Sequence, residues 1–147
     1  MENKLNSFGL RPFVVYGPGR EIGGTASISL ACKAVAEDKE YKIEFGGKAG
    51  FVYVEDVANI VLKILDSLPI GAKVININGI TEEVVNIVEY LNSFTTDKKI
   101  TYHNNTLPIV EEILGNGPTD FFENFTFTDL KTGLGKTISY YKKSLEV

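Results

Sequence analysis

The sequence holds one cysteine and one histidine, and each scarcity removes a class of chemistry. Cys32 has no second cysteine to pair with, so an internal disulfide framework is excluded, and a reducing, cytoplasmic setting is expected because polar residues rather than an apolar signal segment follow Met1. His103 has neither a second histidine nor a cysteine set to join it, so no metal site is expected. No apolar run approaches the roughly 20 residues that a membrane span needs, and no membrane partner is expected. Basic residues number 15 against 19 acidic ones, for a net charge of -4. A phosphate-backbone binder carries a basic patch or stripe, so nucleic acid is not an expected partner either.

What remains is the profile of a globular α/β protein. With 147 residues, 44% of them hydrophobic, the chain can bury one core. Strand and helix signals alternate without a low-complexity stretch, linker or internal repeat. An apolar strand through Phe13-Val14-Val15-Tyr16 runs into the open loop Gly17-Pro18-Gly19-Arg20. Thr25 is placed to cap a helix carrying Ile28, Ala31, Cys32 and Val35 at helical spacing, with Cys32 read as core. Tyr41 to Phe45 alternates as a strand that Gly46-Gly47 stops. Asp56 is expected to open a helix with Val57, Ile60, Val61, Ile64, Leu65 and Leu68 on its apolar face, ended by Pro69 and Gly71. Lys73 to Asn78 reads as a strand, and Thr81 with Glu82 and Glu83 as the start of the next helix. Ile100 to His103 reads as a strand, Leu107 to Leu114 as helix, and Thr128 as the opening of a last helix with a stripe through Leu130, Leu134, Ile138, Tyr141 and Leu145. The expected order is β-α-β-β-α-β-α-β-α-α.

Several motifs imitate functional ones. Gly17-x-Gly19-x-x-x-Gly23 follows a strand, precedes a helix and has Glu44 where a ribose-binding acid would lie, which makes an independent dinucleotide binder one reading. Against it, Pro18 removes an N–H from a loop that would have to donate N–H groups to phosphate, and the spacing is one residue too long. Gly133-Leu134-Gly135-Lys136-Thr137 resembles the end of a phosphate loop, but Leu130 stands where the first glycine belongs. Glu82-Glu83 and Glu111-Glu112 are adjacent carboxylates, which point apart on a helix rather than at one substrate. Of Tyr140 and Tyr141, one is expected to face the core and the other the rim. Asn104-Asn105-Thr106 and Asn124-Phe125-Thr126 match the glycosylation triplet and are read as chance.

Two phrases taken in order are more specific. Arg11 with Tyr16-Gly17-Pro18, followed by Tyr53-Val54-Glu55-Asp56-Val57-Ala58, resembles the Arg-x-x-x-x-Tyr-Gly-Pro strand end and Tyr-Val-x-Asp-Val-Ala helix start of the extended short-chain dehydrogenase/reductases, the NAD-dependent epimerase/dehydratase family. The resemblance runs from about Leu10 to about Tyr141. It implies the last strands and helices of a Rossmann-like sheet plus the small α/β substrate-binding domain. In that family a Gly-rich loop grips NAD or NADP and a Tyr-x-x-x-Lys pair moves the proton, both ahead of the first phrase. Neither occurs here, and only nine residues precede Leu10. Residues 1–147 are therefore expected to form a single C-terminal, substrate-binding unit with no catalytic residue of its own.

The resemblance implies cofactor contact at Phe13 and Val14, with Phe13 beside the nicotinamide ring. Val14 falls where a substrate-contacting asparagine is common, and Ala49-Gly50 where an Arg-Asp pair clamps a diphosphate. Both departures remove contacts to a nucleoside diphosphate and favour a sugar-like or other small hydroxy or carbonyl compound. Lys48 alone is left to supply charge there, without a bidentate fork. Arg20 and Thr25, on the loop and helix start, are the further substrate-binding candidates, each with a structural role as its alternative. Three hypotheses follow: a split enzyme whose N-terminal Rossmann half lies elsewhere, a non-catalytic binding or assembly module that self-associates, and the dinucleotide binder through Gly17, Gly19 and Gly23. In the first, NAD or NADP binds only with the N-terminal half present.

Overall fold

The computed structural model describes residues 5–67, 71–108, 110–112 and 125–146. Its organising feature is Phe13, where one extended stretch changes sheets. Before it, β1 (Ser7–Pro12) pairs in parallel with β5 (Ala72–Ile77), from Ser7↔Ala72 to Pro12↔Ile77. After it, β2 (Val14–Tyr16) pairs in parallel with β4 (Lys48–Tyr53), from Val14↔Phe51 to Tyr16↔Tyr53. Phe13 itself still donates its N–H to the Ile77 carbonyl at 2.9 Å. Pro12 ends the first ladder, as a residue without an N–H commonly does at a strand boundary. β6 (Ile80–Glu83) adds antiparallel to β4, and β3 (Tyr41–Ile43) pairs in parallel with β7 (Ile100–Tyr102).

The helices are α1 (Ser27–Ala36), α2 (Val54–Ser67), α3 (Val84–Asn92) and α4 (Leu130–Ser144). The described residues thus run β-β-α-β-β-α-β-β-α-β-α, an α/β arrangement with the mixed strand pairing expected. The difference from the expected order has two local causes. Thr81-Glu82-Glu83 is strand rather than helix start, because these residues pair with Lys48, Ala49 and Gly50 of β4 before α3 begins at Val84. The residues 107, 108 and 110–112 are not helical; the rest of the helix expected over Leu107 to Leu114 lies outside the described residues, as do Leu68, Pro69 and Asn124.

Two hydrophobic clusters hold the elements together. The larger joins Ile28, Ala31, Cys32 and Val35 of α1 to Leu134 and Ile138 of α4, Val84, Ile87 and Leu91 of α3, and Val14, Tyr16, Phe51 and Tyr53 of the β2–β4 pair. Each fully buried Ile or Leu contributes about 1.5–3 kcal/mol relative to exposure. The second cluster packs Ile60 and Ile64 of α2 on Val52, Ile75 and Ile77, with Phe8, Leu10, Phe125 and Phe127 against it. Of the apolar face expected of α2, Ile60 and Ile64 are buried, while Val61 is 39% and Leu65 62% exposed, so that face is partly bare; Leu62, off that face, is 59% exposed.

Three helix starts differ from expectation. α1 has Ala26 at its N-cap with no side-chain cap, and Thr25 instead accepts from Arg20 Nη2 at 3.5 Å. α2 begins at Val54 because β4 runs straight into it. Asp56 in its first turn accepts from the Thr128 N–H at 2.9 Å and the Thr128 hydroxyl at 2.8 Å. α4 is capped not by Thr128 but by Asp129, whose side chain accepts from the Thr132 N–H.

The glycines of α4 do different things. A Cβ at Gly133 would collide with the buried Tyr16 hydroxyl, whereas one at Gly135 would meet only the Tyr90 hydroxyl at 3.7 Å. Gly133→Ala is therefore expected to destabilise by about 1–3 kcal/mol through overpacking. Gly135→Ala should raise stability by up to about 1 kcal/mol through helix propensity. Urea unfolding of the two variants checks the opposite signs.

Candidate functional site

In α/β proteins ligands bind outside the carboxyl ends of parallel strands, where neighbouring strands part company. Here β1 and β5 end together at Pro12 and Ile77, and the chains leave in different directions. Half-buried Phe13 crosses to β2, while Asn78 and Gly79 turn back toward β6. That turn presses on β4: a Cβ at Gly50 would meet the Asn78 carbonyl and side-chain oxygens, and one at Gly79 the Phe51 carbonyl. Gly79 also has φ +72°, a region that favours glycine. The Asn78 amide donates to the Thr81 hydroxyl at 2.8 Å, and Thr81 in turn lies 3.5 Å from a Glu112 carboxylate oxygen. Gly50, Asn78, Gly79 and Thr81 thus meet beside Phe13, where β4 and β6 pass the ends of β1 and β5.

The carboxyl ends of β2 and β4 are differently finished. Tyr16 and Tyr53 stand side by side with ring centroids 5.6 Å apart, both buried, beneath Gly133 of α4. The Tyr16 hydroxyl has no hydrogen-bond partner among the described residues, and burial pushes its pKa far up. Burial, with Glu55 nearby, pushes the Tyr53 phenol up to about 12, and burial beside Glu21 does the same to Tyr141. None of these phenols is poised to exchange a proton near neutral pH. Cys32 is fully buried with its thiol pKa raised by burial, and is core as expected. Tyr141 is buried and Tyr140 is 48% exposed, the split anticipated for that pair.

Beyond Tyr16 the loop is tied down by its own backbone. The Gly17 N–H donates to the Ser29 hydroxyl at 3.0 Å, the Arg20 N–H to the Gly17 carbonyl, and the Glu21 N–H to the Gly19 carbonyl. Amides engaged in this way are not available to cradle phosphate. Glu21 bridges to Lys33 of α1 at 2.7 Å, and Lys33 lies 5.6 Å from the Tyr141 ring centroid, so the loop is clasped to α1 and α4. The hydrogen bond from Lys33 holds the Glu21 carboxyl below the usual carboxylate range. Arg20 has no carboxylate partner among the described residues; its guanidinium lies over Gly23 and reaches Thr25.

The expected site residues therefore fall at two places. Phe13 lies at the junction between the sheets and Lys48 at the head of β4, while Val14 is 1% exposed and part of the core. Arg20 and Thr25 lie past the opposite end of the β2–β4 pair, and that end is about 17 Å from Lys48 along β4. Lys48 faces Glu83 across the β4–β6 ladder. Asp56 was legible only as a helix opener, and its link to Thr128 left no local signal. The Asn78-Gly79 turn did carry one, since Asn-Gly is a strong turn dipeptide. Lys136 pairs with Glu55 at 3.1 Å on the surface of α4, which gives it a structural role rather than a phosphate-loop one. Among the described residues no group of acidic, cysteine and histidine side chains could hold a metal ion, and no helix is long and apolar enough to cross a membrane.

Parallel strands that end at a crevice and return through helices define a Rossmann-like α/β protein. The model of the NAD dependent epimerase/dehydratase family matches residues 1–78, and the chain belongs to that family. Among solved structures it is similar to MoeE5 in complex with UDP-glucose and NAD, with a TM-score of 0.72 and 24% identity over 94% of this chain and 48% of that one. The UDP-glucose 4-epimerase of Thermotoga maritima, solved with UDP-glucose, gives 0.69 and 25% over 94% and 46%. The ADP-L-glycero-D-manno-heptose-6-epimerase of Helicobacter pylori gives 0.68 and 22% over 95% and 45%. This chain thus spans just under half the length of these structures. No curated protein matches it by sequence.

The Glu21–Lys33 clasp has a pH signature. A carboxyl whose folded pKa is depressed stabilises above its unfolded pKa, and that contribution is lost as pH falls through the folded value. Glu21→Gln is expected to speed hydrogen exchange at the amides of Gly19 to Thr25 at neutral pH. The difference from the parent should persist through the ordinary Glu range, about pH 4, and vanish only at lower pH, once the depressed Glu21 carboxyl is itself protonated. Exchange measured across that range checks this.

Proposed function

We propose that this chain forms the substrate-facing part, and the closing strands of the nucleotide-binding sheet, of an NAD(P)-dependent epimerase/dehydratase or dehydrogenase acting on a sugar-like or small hydroxy or carbonyl compound. In this reading an N-terminal Rossmann half supplies the Gly-rich loop and the Tyr-x-x-x-Lys pair, and these 147 residues alone are catalytically silent. The observation that carries it is the bareness of the β1–β5 layer. Parallel sheets are ordinarily covered on both faces, yet Ser7, Gly9 and Arg11 are exposed, Val74 is 43% exposed, and α2 leaves Leu62 and Leu65 uncovered. Further parallel strands and helices fit such a surface, and the structural relatives hold about as much chain again beyond the matched part, 48% of MoeE5 being covered.

Within this reading the half-buried Phe13 ring packs beside the nicotinamide, which supplies hydride transfer when bound. Val14 supports that contact from the core. Lys48 serves the substrate at the crevice between the sheets. Arg20, which has no carboxylate partner among the described residues, and Thr25 serve it from the loop. The buried Ala49 and Gly50 offer no polar group to a nucleoside diphosphate, which favours a smaller substrate.

The test is NAD(P) binding by calorimetry, with nicotinamide absorbance as the measure of turnover. The 147 residues alone should bind no NAD(P) and turn over no alcohol or carbonyl compound. Supplied with an N-terminal half that bears the Gly-rich loop, they should retain the cofactor, and Phe13→Ala should weaken that retention about tenfold. Nicotinamide-dependent turnover by this chain alone would overturn the reading. Binding by the chain alone that Gly19→Val abolishes would make it an independent dinucleotide binder instead.

A further inference from the structure

Arg20 and Glu21 are adjacent and oppositely charged, yet their side chains go to different places. Glu21 turns to the body of the protein, where Lys33 of α1 donates to its carboxylate at 2.7 Å. The Lys33 ammonium lies in turn 5.6 Å from the centroid of the buried Tyr141 ring of α4. Arg20 goes to Gly23 instead. A Cβ at Gly23 would stand 2.9 Å from Arg20 Nη1 and 3.0 Å from Nη2, so the guanidinium rests on a position kept clear of any side chain. Nη2 reaches the Thr25 hydroxyl at 3.5 Å.

A guanidinium is always ionised and carries five N–H donors. One long contact to a hydroxyl leaves most of these donors without an acceptor among the described residues, and Arg20 is only half open to water. Glu21 is the carboxylate closest to it along the chain, and the hydrogen bond from Lys33 keeps that group elsewhere and below the usual carboxylate range. Lys33 thus removes the partner that would otherwise neutralise Arg20.

The neighbouring donors indicate the kind of anion. Phosphate sites gather backbone N–H groups. Here the Gly17 N–H goes to Ser29, and those of Arg20, Glu21 and Ala26 go to carbonyls of Gly17, Gly19 and Gly23. What is left is a planar fork beside a hydroxyl, which matches a carboxylate held by two parallel hydrogen bonds and a hydroxyl next to it.

Resting on the function proposed above, in which Arg20 and Thr25 face the substrate, we infer that the substrate is a sugar acid or hydroxy acid whose carboxylate Arg20 receives, and that Lys33 is a positioning residue that keeps Arg20 available by holding Glu21.

The experiment follows 15N–1H NMR shifts of the full chain, at the amides of Gly19 to Thr25, during titration with glucuronate, glucose and inorganic phosphate at low ionic strength. Glucuronate is expected to shift these amides, glucose to leave them in place, and phosphate to bind more weakly than glucuronate. Arg20→Met should weaken glucuronate binding at least about tenfold. Lys33→Met should weaken it comparably, because Glu21 is then released to pair with Arg20, whereas Lys33→Arg should bind as the parent does. The double variant K33M/E21Q should recover to within about threefold of the parent. If Lys33 only stiffens the loop, the double variant stays as weak as Lys33→Met, and that result would overturn the positioning role. Absent glucuronate shifts in the parent, equal binding of glucose, tighter binding of phosphate, or indifference to Arg20→Met would each overturn the carboxylate assignment. The half-enzyme reading stands or falls separately, on NAD(P) retention with the N-terminal half.

Discussion

The Asn78-Gly79 turn lies directly on Gly50 and Phe51 of β4, main chain against main chain with the Asn78 side chain alongside, and the arrangement of this protein depends on that contact. It lets a single extended stretch serve two sheets. β1 and β5 form one of the three sheets, β2, β4 and β6 another, and the turn is where the backbones of these two approach most closely, beside the packing of Val52 on Ile75 and Ile77. A side chain at either glycine would push the layers apart, dislodging Phe13 from its crossing position. The crevice, the half-buried aromatic and the cross-strand charges of β4 and β6 all follow from this approach of main chain to main chain.

Sequence legibility followed the range of the forces involved. Elements made by local apolar periodicity were readable: the buried face of α1 through Ile28, Ala31, Cys32 and Val35, and the stripe of α4 through Leu134, Ile138 and Tyr141. The ordered pair of phrases around Tyr16 and Tyr53 was also readable, because each joins a strand end to a fixed set of neighbours. Elements decided by distant partners were not. Thr81-Glu82-Glu83 carries the acids of a helix start, but an open edge of β4 captured it as a strand. Thr25 had the chemistry of a cap, and a neighbouring guanidinium took its hydroxyl. The split at Phe13 had no signature beyond Pro12.

The candidate site was legible in part. Phe13 lies at the sheet junction and Lys48 at the head of β4, while Arg20 and Thr25 form a second locality past the far end of the β2–β4 pair. Val14 was singled out for its place in a motif, yet strand alternation turned it inward. The residues that close the crevice, Asn78 and Thr81, escaped notice because their importance comes from contact with β4, which no spacing in the sequence encodes.

The bond pair between Asp56 and Thr128 spans 72 residues of sequence and joins the first turn of α2 to the strap that leads into α4. Asp56 is 4% exposed, so the carboxylate is sheltered from competing water, and Phe125 and Phe127 add apolar contacts just before it. The terminal helix is consequently fastened to the body by its root as well as by its packed flank.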